Sequence, residues 1–145
     1  MARDTNYMAA RRAIWSGIAL AMLALLVTAR LLTPSGSGVG THLALGLPPC
    51  GFLLWSGLPC PGCGLTTAFA HLARGELLGS ISANPLGLPL FVSVLVTLLL
   101  ALVHARRGTA VGVVVERFQA DRAALCLVLA LLLSWSARLV SLSLP

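Results

Sequence analysis

The chain has 145 residues, of which 58% are hydrophobic and 10% charged, with a mean hydropathy of +0.95. That length holds at most one ordinary domain, and the composition excludes an ordinary soluble one, so a lipid bilayer is the expected partner. The net charge of +6 comes from ten arginines, with no lysine, set against Asp4, Glu76, Glu116 and Asp121; the arginines flank apolar runs and form no single basic stripe, which argues for topology signals and against nucleic acid.

In chain order, residues 1–13 are a tail carrying Arg3, Arg11 and Arg12. Residues 14–33 form an apolar run with one late charge, Arg30. Its length suits a helix crossing a hydrocarbon core of ~30 Å. A cleaved signal peptide is the rival reading, but Val27-Thr28-Ala29-Arg30 lacks a small-x-small site and the run exceeds the ~7–15 residues of a signal core. Residues 86–104 and 123–144 are two further runs of spanning length, the last containing Arg138. The expected fold is an all-α membrane protein with three transmembrane helices.

Orientation follows from the arginines, because short loops rich in them stay cytoplasmic. The tail and the loop 105–122, with Arg106, Arg107, Arg117 and Arg122, are basic, whereas residues 34–85 carry Arg74 alone. The N-terminus is therefore expected inside and the 34–85 loop outside. In a bacterial inner (plasma) membrane, that loop faces an oxidising compartment.

Within the loop, Ser35-Gly36-Ser37-Gly38 reads as flexible, and residues 43–59 read as an interfacial stretch too broken by Gly and Pro for a helix, with Trp55 at the membrane surface. Residues 65–77 read as a short amphipathic interfacial helix. Leu65, Ala68, Phe69, Leu72 and Ala73 share one face, opposite Thr67, His71 and Arg74, and Gly75 ends or bends it. Asn84-Pro85 then breaks the chain before the second span.

The chemistry gathers at Cys60-Pro61-Gly62-Cys63-Gly64. Pro61 and Gly62 suit the central positions of a type II turn, which folds both sulfurs to one side, and Gly64 has the freedom to aim backbone N–H groups at them. Cys50 supplies a third sulfur. A closed tetrahedral zinc site takes four ligands, and His42, on flexible chain, or water completes the set. His71 is a poorer candidate, since eight helical residues beyond Cys63 put it about 12 Å away. Cys126 lies in the third run, far from the others, and reads as a core residue.

The same thiols also fit a disulfide, as a Cys60–Cys63 bond with Cys50 attacking or as a bridge from Cys50, because turn ends fall within disulfide range. Three readings stand together at this point. The first is a structural or accessory protein binding zinc or copper through Cys50, Cys60 and Cys63. The second is a thiol-disulfide relay or redox sensor. The third is a non-catalytic membrane subunit with a disulfide-stapled loop, its Trp15 and interfacial helix touching a membrane protein partner. There is no carboxylate pair or phosphate-cradling loop, so enzyme chemistry has little support. Arg30 and Arg138 either snorkel or join Arg74 in holding an anion.

Cys50, Ser56-Gly57, Cys60-Pro61-Gly62-Cys63-Gly64-Leu65-Thr66, Gly75 and Asn84-Pro85-Leu86 together resemble the bacterial family called domain of unknown function 2752, whose members share a Cys-Pro-x-Cys-Gly-x-Thr-Arg core and a downstream Asn-Pro. The stretch runs over residues 50–86. Where the family pattern has Arg this chain has Thr67, which leaves Arg74, two turns on, as the cation on that helix. The resemblance implies a small membrane protein and gives weight to Thr66, Asn84 and Pro85 beside the cysteines, without implying a reaction.

Overall fold

Ala- and Leu-rich sequence free of proline before Pro34 sustains one long helix, α1 (Ala2–Leu31), in the computed structural model of the protein, which describes residues 2–109 and 120–143. Pro34 disfavours helix in the residue before it, and the chain leaves α1 just ahead of that point. Five further α-helices follow: α2 (Gly51–Ser56), α3 (Leu65–Leu72), α4 (Leu77–Ala83), α5 (Gly87–Arg107) and α6 (Ala120–Ser143). A 3-10 helix, Thr41–Leu45, precedes them, and no strand occurs among the described residues.

Two of these helices are long and apolar enough to cross a membrane, Asn6–Leu31 within α1 and Gly87–Arg107. In α6 the apolar stretch among the described residues is the shorter Ala124–Ser136. Much of the helix surface carries exposed large apolar side chains, Leu20, Leu23, Leu99 and Leu133 among them. In water such a surface promotes aggregation; in hydrocarbon it is the solvated face.

α1 and α5 pack against each other around Trp15, Ala19 and Ala101, with Ile18, Leu98 and Ala105 beside them. The small Ala19 and Ala101 let the helices approach closely, as contacts between helices in lipid require. Trp15 is only 5% exposed; its Nε1–H donates to the Thr109 carbonyl at 2.8 Å and its ring stacks on His104 at 5.0 Å. This corrects the expectation that Trp15 faces a partner, because its ring is already spent on α5. Gly108, left-handed at φ 64, caps α5 through an N–H bond to the His104 carbonyl and lies against Met8 and Arg12. Arg11, Arg12, Arg106 and Arg107 thus sit at one end of the α1/α5 pair, and residues 32–86 form a cap at the other.

The cap differs from its expected form in two places. Residues 43–59 are not too broken for a helix: the 3-10 turn and α2 both form, closed by Gly46 at φ 73 and Gly57 at φ 71. The glycines that seemed to forbid helix act as its left-handed stops. The 65–77 helix ends at Leu72, and Gly75, at φ 80, turns the chain into α4. Nor does α3 lie with a polar face to water. Thr67 is fully buried, and its Oγ1 pairs with Thr41 Oγ1 at 2.8 Å, while Thr41 Oγ1 also accepts the Ser35 N–H. The polar side of α3 is where the preceding loop is tied down.

Candidate metal centre

The site is built from a turn, a helix start and one buried amide. The Cys63 N–H donates to the Cys60 carbonyl at 3.0 Å, closing the turn, and the Leu65 N–H donates to the Gly62 carbonyl at 3.1 Å, closing a second turn that overlaps it. Gly62 is not among the glycines with positive φ, so the expected type II turn does not form; the left-handed residue is Gly64, at φ 83. Two overlapping turns leading into α3 need their reversal at the helix entrance, two residues later than a lone type II turn places it. Gly64 is required twice over, since a Cβ there meets the Ala83 carbonyl oxygen and comes to 2.7 Å from the Gly38 carbonyl oxygen.

Asn84 holds this turn from below. It is 1% exposed, its Nδ2 donates to the Cys63 carbonyl at 3.1 Å and the Pro61 carbonyl at 3.3 Å, and its Oδ1 accepts the Leu86 N–H at 3.0 Å. One side chain therefore clasps the cysteine turn to the start of α5. The sequence marks Asn84 as a helix break; that it is also the clasp is visible only once the turn is seen above it. Trp135 on α6 braces the other side, donating from Nε1 to the Pro59 carbonyl at 2.7 Å and meeting Phe52 edge to face at 6.1 Å.

This scaffold gathers the sulfurs of Cys50, Cys60 and Cys63 within 4.8 Å of one another. Cys50 immediately precedes α2, and Cys63 is buried beneath the turn. The Cys60 N–H donates to Cys63 Sγ at 3.2 Å, so the expected N–H to sulfur bond exists, with Cys60 as its donor. The environments of the thiols diverge. Cys50 is drawn below its ordinary pKa, chiefly by the backbone N–H of Leu53 and next by the Cys60 thiol. Burial, followed by the Cys60 side chain, pushes Cys63 up to about 12.

No disulfide links any of the four cysteines, so the bridge weighed from sequence does not form here. Cys126 is exposed on α6, outside the trio. His42 lines the same cavity as the three cysteines, a space of about 450 Å³ that also takes in Thr66 and Thr67, but it is not one of the clustered ligands. His71 turns to Glu76, with Nδ1 and Oε2 2.6 Å apart.

The arginines are dispersed. Arg74 Nη1 donates to the Ala70 carbonyl at 2.9 Å and reaches the Ala29 carbonyl at 3.4 Å, linking α3 to the end of α1. Arg30 is exposed in the last turn of α1, and the side chain of Arg138 lies outside the described residues, as do residues 110–119 of the expected cytoplasmic loop.

Three soft sulfur donors with no carboxylate among them suit zinc, or copper in its cuprous state, over magnesium or calcium. With Zn–S near 2.3 Å, the sulfur–sulfur edge of a tetrahedral site is about 3.8 Å, so pairs no more than 4.8 Å apart need close by at most about 1 Å.

Among the described residues, a helical fold with two helices of membrane-spanning length and a thiol cluster capping one end is the class of molecule that fold and site define. Residues 50–106 match the family model described as a protein of unknown function (DUF2752), the family the motif resembles. The matched region holds the three clustered cysteines, Asn84 and nearly all of α5, and so extends beyond the motif at 50–86; α1 and α6 lie outside it. Comparison with curated proteins finds no match, and comparison with solved structures finds none.

Proposed function

We propose that this is an integral membrane protein whose cap binds one soft or borderline metal ion, zinc or cuprous copper, in a structural or accessory role. The observation that carries the reading is the approach of the Cys50, Cys60 and Cys63 sulfurs to within 4.8 Å of one another, brought together from the start of α2 and from the 60–63 turn. His42, lining the same cavity, or water takes the fourth position. Bound metal supplies Lewis acidity or a rigid crosslink. The chain's own part is to hold three sulfurs together, bury one of them and donate an N–H to it.

The topology belongs to the same proposal. α1, α5 and α6 span, the arginine-bearing end of the α1/α5 pair faces the cytoplasm, and the cap faces outward from a bacterial inner membrane. The four arginines at the end opposite the cap support this sense, because basic loops resist translocation.

A second reading is favoured by the divergence of the thiols. Cys50, drawn below its ordinary pKa, is the better nucleophile of a thiol relay and Cys63 the poorer. Purified protein distinguishes the two. One equivalent of metal per chain, lost in Cys60→Ser, supports the metal reading. Metal-free protein whose cap cysteines cycle reversibly between three alkylatable thiols when reduced and one when oxidised replaces it with the relay.

A further inference from the structure

Cys50 and Cys60 stand at the two ends of an arm, residues 51–59, that carries α2. The two ends are tied differently. At Cys60 backbone groups serve: the Pro59 carbonyl accepts from Trp135 Nε1, and the Cys60 carbonyl accepts the Cys63 N–H. At Cys50 the carbonyl is spent inside the arm, on the Leu54 N–H, and the hydrogen bonds that reach outside α2 are those of the thiol with Cys60 and Cys63. Between these ends α2 buries none of its residues, and Phe52 rests edge to face on Trp135. The sulfur cluster is thus the polar fastening of the Cys50 end.

At about 100° per residue the helix sorts its side chains into two arcs. Phe52, against Trp135, and Leu53, in the cysteine cavity, lie on the inner arc. Leu54 and Trp55, about 200° and 300° round from Phe52, lie on the outer one, and they are 72% and 87% exposed. The level of the arm follows from α6. Trp135, which holds both Phe52 and Pro59, comes immediately before Ser136, where the apolar stretch Ala124–Ser136 ends. In the proposed topology that end is the outer surface of the hydrocarbon core. No Asp, Glu, Lys or Arg occurs between Arg30 and Arg74, and Leu43, Leu45, Leu47 and Leu58 are exposed in the same cap. A charge-free face with leucine and tryptophan outermost, at the level where an apolar stretch ends, suits the boundary between headgroups and acyl chains.

We infer that the arm lies in the outer leaflet through Leu54 and Trp55 and that metal at the cysteine site fastens it there, so that filling the site fixes the grip of the cap on the membrane. Cys63 is the fixed post, since it is buried and its carbonyl is clasped by Asn84. An ion shared by the three sulfurs joins both ends of the arm to that post, where thiol contacts alone hold the Cys50 end in its absence. The inference rests on the proposed metal site and on the cap lying against a bilayer.

The test uses the full chain in phosphatidylcholine nanodiscs, loaded with zinc or with cuprous copper or stripped by chelator, with bound metal counted. The emission of Trp55, taken as the difference between wild type and Trp55→Phe, is expected to be quenched by lipid brominated near the headgroup end of its acyl chains and spared by aqueous iodide. Hydrogen–deuterium exchange in the arm is expected to slow roughly tenfold when free metal is about ten times its dissociation constant, because opening that frees the ion is suppressed in that ratio. The slowing is expected to vanish in Cys50→Ser; if that variant fails to fold, the wild type with and without metal keeps the test decisive. Trp55 quenched by iodide and not by brominated lipid, or by neither, as a covering protein would give, overturns the leaflet contact. Metal bound with exchange of the arm unchanged overturns the fastening and leaves the metal reading standing. A chain that binds neither ion defeats the metal reading and the fastening with it.

Discussion

Replacing Asn84 is the sharpest perturbation of the clasp under the cysteine turn. Asn84→Ala strands two buried backbone groups, the Leu86 N–H and the Cys63 carbonyl; the 3.3 Å bond to the Pro61 carbonyl is long and contributes less. Each stranded group costs about 1–3 kcal/mol, so the substitution is expected to destabilise the cap by about 2–6 kcal/mol. Asn84→Asp keeps an acceptor for Leu86 but sets carboxylate oxygens against two carbonyl oxygens, and so is expected to cost at least as much. Thermal unfolding in detergent reads the effect; at roughly 3 °C per kcal/mol for a chain of this size, a fall of about 6 °C or more is expected. The same variants are expected to bind zinc at least tenfold more weakly, because the clasp sets where Cys63 sits. An Asn84→Asp protein with unchanged melting and unchanged zinc affinity would refute the reasoning.

Gly64→Ala and Gly62→Ala, two residues apart, are expected to behave oppositely. The first combines a left-handed φ of 83 with a Cβ against the Ala83 and Gly38 carbonyls, and should abolish metal binding; the second meets nothing within 4 Å and should be tolerated, as a melting comparison will read. Timed alkylation of metal-free protein should label Cys50 before Cys63, which is 7% exposed and, with its pKa near 12, protonated at pH 8. Prior labelling of Cys63 in peptide mapping contradicts the arrangement. Trp135→Phe removes the 2.7 Å bond to the Pro59 carbonyl while keeping a ring against Phe52, so a loss of about 1 kcal/mol is expected in the melting curve, with metal stoichiometry unchanged.

The long helices and the cysteine trio were legible in the sequence because they rest on local signals: uninterrupted apolar runs, and sulfurs tied by short spacing to a Pro-Gly turn. Structure and expectation part where local signals have two outcomes. Gly46 and Gly57 signal a break in the sequence and are helix stops in the structure, and a stop also implies a helix before it. A helical wheel sets Thr67 on the polar side of α3, but a wheel gives relative orientation only; the partner, Thr41, comes from 26 residues away. Nothing local to Trp15 points to its stacking on His104, which lies across the whole cap segment in sequence. The role of Asn84 was hidden for the same reason, although an Asn before a Pro at the foot of an apolar helix is a place to look for a buried amide. Pro-Gly taken alone favours a type II turn, and it is the second, overlapping turn that moves the left-handed residue to Gly64.

X-ray absorption on the zinc-loaded full-length protein tests the metal reading most directly. The expected first shell is three sulfur neighbours near 2.3 Å with one nitrogen or oxygen near 2.0–2.1 Å, falling to two sulfurs in Cys50→Ser. A shell dominated by nitrogen and oxygen, or a sulfur count unchanged by Cys50→Ser, contradicts a centre built from Cys50, Cys60 and Cys63.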